Sequence, residues 1–565
     1  MKATATQLLK FLQGTKQLLI PIYQRTYSWE RPDCQQLWND IRRVACDEKT
    51  VAHFVGSIVY VEKGIFHVSS VTQLLVIDGQ QRLTTISLLL TALGEALEEQ
   101  SKEGHAEITR KKIFNYYLLN AEEHGDLRYK LLLTQSDKDT FIALLENGVE
   151  PFPFSARIKD NYLFFKEQIR HSGIDPITLY RGISKLIMVD ISLDQDYDHP
   201  QLIFESLNST GMELSQADLI RNYVLMGLDH EEQTKLYKNY WYPMEQRFLH
   251  AGGTKLFDRF MRDYLTMKQS TIPNIKKVYA SFKTYHPSSF TTPINEIVAD
   301  IYRFAGYFMS MAQQYERDLD LKHAFFDINT LKVDVAYPFL LEVYDDYSNK
   351  LLTKEDFLVI LKIVESYVFR RIVCDIQSHG LNKVFATLAT EIDKEHYLES
   401  VKVAFSQKTL SSRFPSNEEF RAAFMIKDMY HIRNRQYVFN RLENYKNKEP
   451  VDIEKCTIEH IMPQNKQLSA EWQRDLGPNW QGVQARYLHT IGNLTLTGYN
   501  SELSDRPFLM KRDIEGGFAY SPIRLNRSLS RLEKWNAAEI EKRASELAAL
   551  AVEIWPIPQL PVRKT

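Results

Sequence analysis

The sequence predicts an α+β fold that is mostly helical, and three observations carry that expectation. Residues 228–400 set aromatic and aliphatic side chains at helical spacing, as in Asp300–Arg317 and Leu351–Arg371. Residues 1–227 mix helical stretches with short β-prone runs, of which Val55–Tyr60 and Leu74–Ile77 are the clearest. Residues 401–565 hold two more such runs, one stopped by Pro463 and one at Ile491–Thr497, with Asn500 following at a helix start. The same divisions give the domain reading: an N-terminal domain over 1–227, a helical connector over 228–400 and a C-terminal domain over 401–565.

A chain of 565 residues has room for about two to four domains, each with its own core. An apolar fraction of 44% and a charged fraction of 25% are those of ordinary globular proteins. The formal net charge is −2, so any contact with nucleic acid has to come from local basic patches. Cys34, Cys46, Cys374 and Cys456 are scattered, without the spacing of a zinc site or a disulfide framework. The first residues are too polar for a signal peptide, and no run of about 18 apolar residues offers a membrane span. A cytoplasmic protein that does not enter membranes is expected.

In the N-terminal part, Ile20–Trp29 combines Tyr23, Gln24, Arg25, Tyr27 and Trp29. These side chains suit stacking and pairing with a nucleotide, and equally the anchoring of an extended segment on the core. Further on, the strand Leu74–Ile77 runs into Asp78-Gly79. A helix follows with Leu83, Ile86, Leu90, Leu93 and Leu97 on its apolar face. Free N–H groups at that helix start, close approach at Gly79 and the Arg82 fork suit a phosphate, and Asp78 suits a metal or water beside it. A plain strand-turn-helix with a surface arginine explains the same residues. No Gly-x4-Gly-Lys-Ser/Thr loop occurs in the chain, which argues against a P-loop ATPase. In a third block, Ile203–Asn222, Asn208 and Gly211 bracket a turn, and Ser215 with Asp218 forms a capping box ahead of a helix.

Thr457–Asn500 is the stretch on which chemistry centres. It opens T-I-E-H-I-M-P-Q, crosses a Trp-containing loop segment and closes L-H-T-I-G-N-L-T-L-T-G-Y-N. Two short strands feeding a helix would carry His460 on the first, Asn493 on the second and Asn500 on the helix. That layout suits a one-metal phosphodiester nuclease: a neutral imidazole takes a proton from water while hard oxygen ligands hold a divalent ion. Glu459 and Asn500 supply such oxygens, suited to Mg²⁺ or Mn²⁺, and Asn493 would brace the loop or the imidazole. His489 reads as a packing or phosphate-contacting residue. A Glu-His pair on a strand is more often structural than catalytic, so it is the whole constellation that carries this reading. Arg370 and Arg371 end a long helix, where solvation or internal ion pairing competes with DNA contact. Arg433–Leu442 reads as an amphipathic helix with Tyr437, Val438 and Leu442 inward. Arg506, Lys511, Arg512, Arg524, Arg527, Arg531 and Lys534 form a basic stretch beyond Asn500 suited to phosphates. The tail after Trp555 should be extended.

On these residues the chain resembles the GmrSD-type modification-dependent restriction endonucleases. The pattern E-H-I-M-P-Q … I-G-N-L-T-L-T-x-x-N is similar to their C-terminal HNH, or ββα-metal, nuclease domain. The elements P-I-Y-Q-R-x-Y-x-W, V-G-S-I-V-Y and I-D-G-Q-Q-R-L-T-T are similar to their N-terminal domain, of ParB/sulfiredoxin-like fold. The resemblance implies His460 as base, Asn493 as the middle asparagine, Glu459 and Asn500 as metal ligands and Lys511 as a DNA phosphate contact. Many such nucleases carry Asp and His where this chain has Glu459 and Asn500, which leaves the choice of metal open. It also implies binding and hydrolysis of an NTP (GTP, ATP or other), with Tyr23, Gln24, Arg25, Asp78, Gly79, Gln80, Gln81, Arg82 and Asn208 as nucleotide-binding residues and Arg221 closing the pocket. The expected enzyme is an NTP-regulated endonuclease acting on double-stranded phage DNA with modified cytosines, for example glucosylated hydroxymethylcytosine. Its connector would couple nucleotide state to cutting, and it would act as a homodimer. Two other classes remain: a nucleotidase-switched sensor of another mark such as phosphorothioate, and a non-catalytic nucleotide-binding interaction protein.

Overall fold

The computed structural model describes residues 1–63, 71–100, 108–194, 203, 205, 214–226, 228–288, 292–378 and 380–560. The fold is α+β and mostly helical, as expected. Its chain divides into two compact units, Met1–Arg247 with Pro293–Val298, and Phe248–Thr292 with Ala299–Thr565. The stretch 228–400, read from the sequence as a connector, is shared between them.

The first unit is built on a six-stranded mixed sheet ordered β1-β6-β3-β4-β2-β5, comprising β1 Lys2–Gln7, β2 Lys16–Leu19, β3 His53–Lys63, β4 Thr72–Asp78, β5 Leu131–Leu132 and β6 Leu186–Leu193. β3 runs parallel to β6 and antiparallel to β4, and β2 runs parallel to β4 and β5. Alternation decides which side chain goes where. Ile58, Tyr60, Leu74 and Val76 join the large core under the helices Arg31–Cys46, Gln80–Gln100 and Ala156–His171. Val59, Val61, Leu75 and Ile77 face the other way, where Leu214, Leu219 and Met226 cover them. The run Leu74–Ile77 is apolar without interruption because β4 is buried on both faces.

Helix starts follow local chemistry. Glu30 and Asp33 form a capping box at Arg31–Cys46, with proline in the first turn. Ser215 and Asp218 form the expected one, Ser215 Oγ donating to Asp218 Oδ2 at 2.8 Å and Asp218 N to Ser215 Oγ at 3.1 Å. Arg221, one turn further, is buried against Asp218 and Glu245, and its Nε donates to Tyr23 O at 2.7 Å. Asn208 lies outside the described residues.

In the second unit, Thr353 and Asp356 box the start of the helix Lys354–Val373. Near its end Phe369 lies 4.1 Å from Trp555, centroid to centroid. Arg370 is fully buried, donating to Trp555 O, Pro415 O and Asn417 Oδ1, and Arg371 donates to Ser411 O and Gln377 O. Both arginines are thus spent on internal carbonyls and an asparagine, which is neither the DNA contact nor the solvation or ion pairing read from the sequence. The helix Arg435–Asn444 buries Tyr437, Val438 and Leu442 as read. The helix Ala537–Ile554 ends at Trp555. The Trp-containing segment is no loop: it forms two short helices, Ala470–Leu476 and Trp480–Tyr487. Ser469 caps the first, Trp472 buries its ring in the core, and Gly477 at φ +85° ends it.

Candidate functional site

The two strands expected in the second unit are present and paired. β7, Thr457–His460, runs antiparallel to β8, Leu494–Thr497, with Glu459 opposite Thr495 and His460 opposite Leu494. Ile491–Asn493, read as the start of the second strand, instead forms a 3-10 turn before β8, so Asn493 stands on that turn and not on the strand, and a short helix Asn500–Leu503 follows. The turn is held from behind: Arg543 Nη1 donates to Ile491 O, Gly492 O and Leu494 O. Burial draws the Arg543 pKa down to about 10, against the opposing pull of Glu546. A Cβ on Gly492 would fall 2.4 Å from Ile540 O, so only glycine fits there.

Asn493 uses all its hydrogen-bonding capacity on this frame. Its Oδ1 accepts from Met462 N at 2.8 Å and Trp535 Nε1 at 3.1 Å, and its Nδ2 donates to Met462 O and Leu488 O. Its contacts brace the chain that leaves His460 and do not reach the imidazole. Asn500 Nδ2 donates to Thr457 Oγ1 at 3.0 Å and Ile458 O at 3.2 Å, which lays the amide along β7.

His460 is 4% exposed. Its Nε2 lies 3.0 Å from His489 Nδ1, and the Tyr430 ring sits 4.4 Å away, centroid to centroid. Burial, then the neighbouring His489, Lys511 and His431, push the His460 pKa down to about 3. The imidazole is therefore neutral near pH 7, the form a general base needs. Glu459 is buried beside it and accepts from Lys511 Nζ at 2.5 Å. Burial pushes the Glu459 carboxyl up and the Lys511 ammonium down, and their mutual attraction opposes both shifts.

Lys511 differs most from its expected setting. Its side chain is wholly buried, bonded to Glu459 Oε1 and at 3.0 Å to His460 O, and so has no exposed ammonium to offer a phosphate. Arg512 is tied to Asp513 and Leu532 O, and Arg524 to Glu443 and Tyr445 O. Arg506, Arg527, Arg531 and Lys534 are the exposed members of the stretch.

Sequence reading missed Asp428 and His431. Met429 N donates to His489 O at 2.9 Å, and Asp428 bridges Thr490, so the loop 428–431 lies against the His489 loop. The separation of 58 residues between His431 and His489, from their numbers, leaves no motif spacing to read.

In the first unit, a cavity of about 270 Å³ is lined by Trp29, Asp33, Gln36, Asp40, His53, Gly56, Ser57 and Arg82, among others. Arg82 donates through Nη1 to Ser57 O, and a Cβ at Gly56 would lie 2.7 Å from its Cζ. Gly56, at φ +105°, thus lets the guanidinium lie on β3. Gly79, at φ +96°, turns β4 into the helix where a Cβ would press Ser57 O at 3.0 Å. Gln24, Gln80 and Gln81 of the expected nucleotide residues brace Ile20–Trp29. Gln24 Nε2 donates to Val76 O and Ile77 O, Gln80 Nε2 to Arg25 O, and Gln81 Oε1 accepts from Ser28 N. Tyr23 is fully buried, and burial drives its phenol pKa up. Burial lowers the Arg25 pKa, which Asp218 and Asp78 oppose. Among the described residues of the expected set, only Arg82 lines the cavity.

The chain combines a mixed-sheet unit bearing D-G-Q-Q-R with a unit that holds a β-β-helix frame around His460. The family model described as GmrSD restriction endonuclease, N-terminal domain, matches residues 8–225, and that described as GmrSD restriction endonucleases, C-terminal domain, matches 414–550. The chain belongs to the GmrSD restriction endonuclease family. No curated protein matches it. Among the described residues, no helix is long and apolar enough to cross a membrane.

Proposed function

We propose that this chain is an NTP-regulated, divalent-metal-dependent endonuclease that restricts double-stranded phage DNA carrying modified cytosines. The observation that carries the reading is the neutral His460 at the end of β7, with Glu459 beside it and Asn500 bonded to the same strand. The donor types are those of a hard divalent ion: Glu459, whose Oε1 is held by Lys511, brings Oε2, and the Asn500 Nδ2 bonds leave its amide oxygen for a ligand role, so a bound ion would have to share the buried Glu459 carboxylate with the Lys511 ammonium. Such an ion would supply charge stabilisation for the departing oxyanion. His460 takes the proton from the attacking water. Asn493 and Arg543 hold the turn that fixes β8 against β7, and Asn493 also fixes the residues after His460. Exposed Arg506, Arg527, Arg531 and Lys534 meet the DNA backbone. Two copies acting together would cut both strands.

The nucleotide is proposed to enter the cavity beside Arg82, whose fork meets a phosphate. Matched DNAs with and without the modified base, incubated with Mg²⁺ or Mn²⁺ and each NTP in turn, test the whole reading. Cutting confined to modified DNA and dependent on an NTP is expected; NTP-independent cutting of unmodified DNA at full rate would overturn both the gating and the restriction. Arg82→Ala should weaken nucleotide binding about 10- to 100-fold, the equivalent of one charge-assisted contact. Equilibrium binding of a fluorescent nucleotide analogue measures it, and unaltered binding removes Arg82 from the pocket.

A further inference from the structure

Asp428, His431 and His489 each bring one donor atom into a group whose members all lie within 4.8 Å of one another. The group is pre-formed by the backbone. Asp428 Oδ1 accepts from Tyr430 N at 3.1 Å and His431 N at 2.9 Å, which closes the turn and brings His431 back over Asp428. The bridge from Asp428 to Thr490 and the bond from Met429 N to His489 O set the second loop in register with the first. The rings are packed as well: Tyr430 stacks on His489 with centroids 5.5 Å apart, and His431 meets His489 edge-on at 4.6 Å. Asp428 and His431 are exposed and His489 is half-buried, so the cluster is open to ions from solvent.

We infer that Asp428, His431 and His489 form a cation site separate from the Glu459–Asn500 pair, taking a borderline divalent ion such as Zn²⁺ or Co²⁺. Two imidazoles and one carboxylate favour such ions over Mg²⁺, whose preferred ligands are all oxygen. On a bound zinc ion, donors at about 2.0–2.2 Å from the metal stand roughly 3–3.5 Å from each other. The His431 Nδ1 to Asp428 Oδ2 distance is 2.9 Å, so these two already stand at ligand separation. The ion takes the place of the proton they share, and His489 closes on it from the second loop. The site leaves one or more positions for water or an oxygen of a ligand. Because His489 also meets His460 Nε2 at 3.0 Å, an ion here would fix the ring against which His460 rests.

This inference holds or fails whether or not the chain cuts DNA. Full-length protein freed of metal with a chelator is titrated with Co²⁺, read by visible d–d absorption, in excess Mg²⁺. Zn²⁺ retention is measured by equilibrium dialysis. One tightly bound Co²⁺ or Zn²⁺ per chain is expected. Asp428→Asn and His431→Ala, both at exposed positions, should each weaken binding by at least about tenfold, with unchanged thermal unfolding. Binding that is unaltered in both variants, binding lost instead in Glu459→Gln, or no retention of either ion by the wild type would each overturn the site.

Discussion

Replacing His460 with alanine slows DNA cleavage by about 10²- to 10⁴-fold, the contribution of a positioned general base, while the nucleotide-binding unit keeps its affinity. The expectation rests on the setting of the imidazole. Burial and three cationic or titratable neighbours hold it neutral, and the frame of Asn493, Arg543 and Gly492 holds the strand pair on which it stands. Single-turnover cleavage at saturating metal, with circular dichroism to confirm folding, measures the loss. Because His460 packs against Tyr430 and His489, His460→Gln serves as the companion variant, keeping volume and polarity without a basic nitrogen. If both variants cleave at the wild-type rate, His460 is not the base.

How much of this was legible in the sequence depended on whether the signal was local. Leu74–Ile77, the Ser215–Asp218 box and the pairing of the two runs around His460 and Leu494 follow from alternation, capping and short-range pattern, and all three are present. The Trp472 segment was misread because its two helices are only seven and eight residues long, too short for periodicity to separate from a loop. Side-chain partners across long separations were not legible either. Gln24 and Gln81 look like ligand-facing polar residues in a motif, yet their amides satisfy backbone groups that would otherwise be buried unpaired. The sequence also placed Lys511 in a basic stretch, but nothing local marks a partner at Glu459, 52 residues away.

Lys511→Met destabilises the second unit by about 3–5 kcal/mol, the cost of leaving one charge of a buried pair without its partner. The pair is closed to solvent, since the side chains of Lys511 and Glu459 are 0% and 5% exposed, so water cannot stand in for the ammonium. The Lys511 Nζ also anchors His460 O, and its loss loosens the end of β7 where the imidazole is held. The double variant Glu459→Gln with Lys511→Met should regain much of the lost stability, because neither charge is then stranded, yet should not regain cleavage if Glu459 binds the metal. Chemical denaturation of the four proteins of this cycle separates the two roles of Lys511. A strong coupling energy between positions 459 and 511 fits the buried pair. Wild-type stability in Lys511→Met with weakened, less salt-dependent DNA binding would instead return Lys511 to the phosphate contact that its place in the basic stretch suggested. The burial of both side chains argues for the first result: an ammonium held between a carboxylate and a backbone carbonyl has to leave both before it can meet a phosphate.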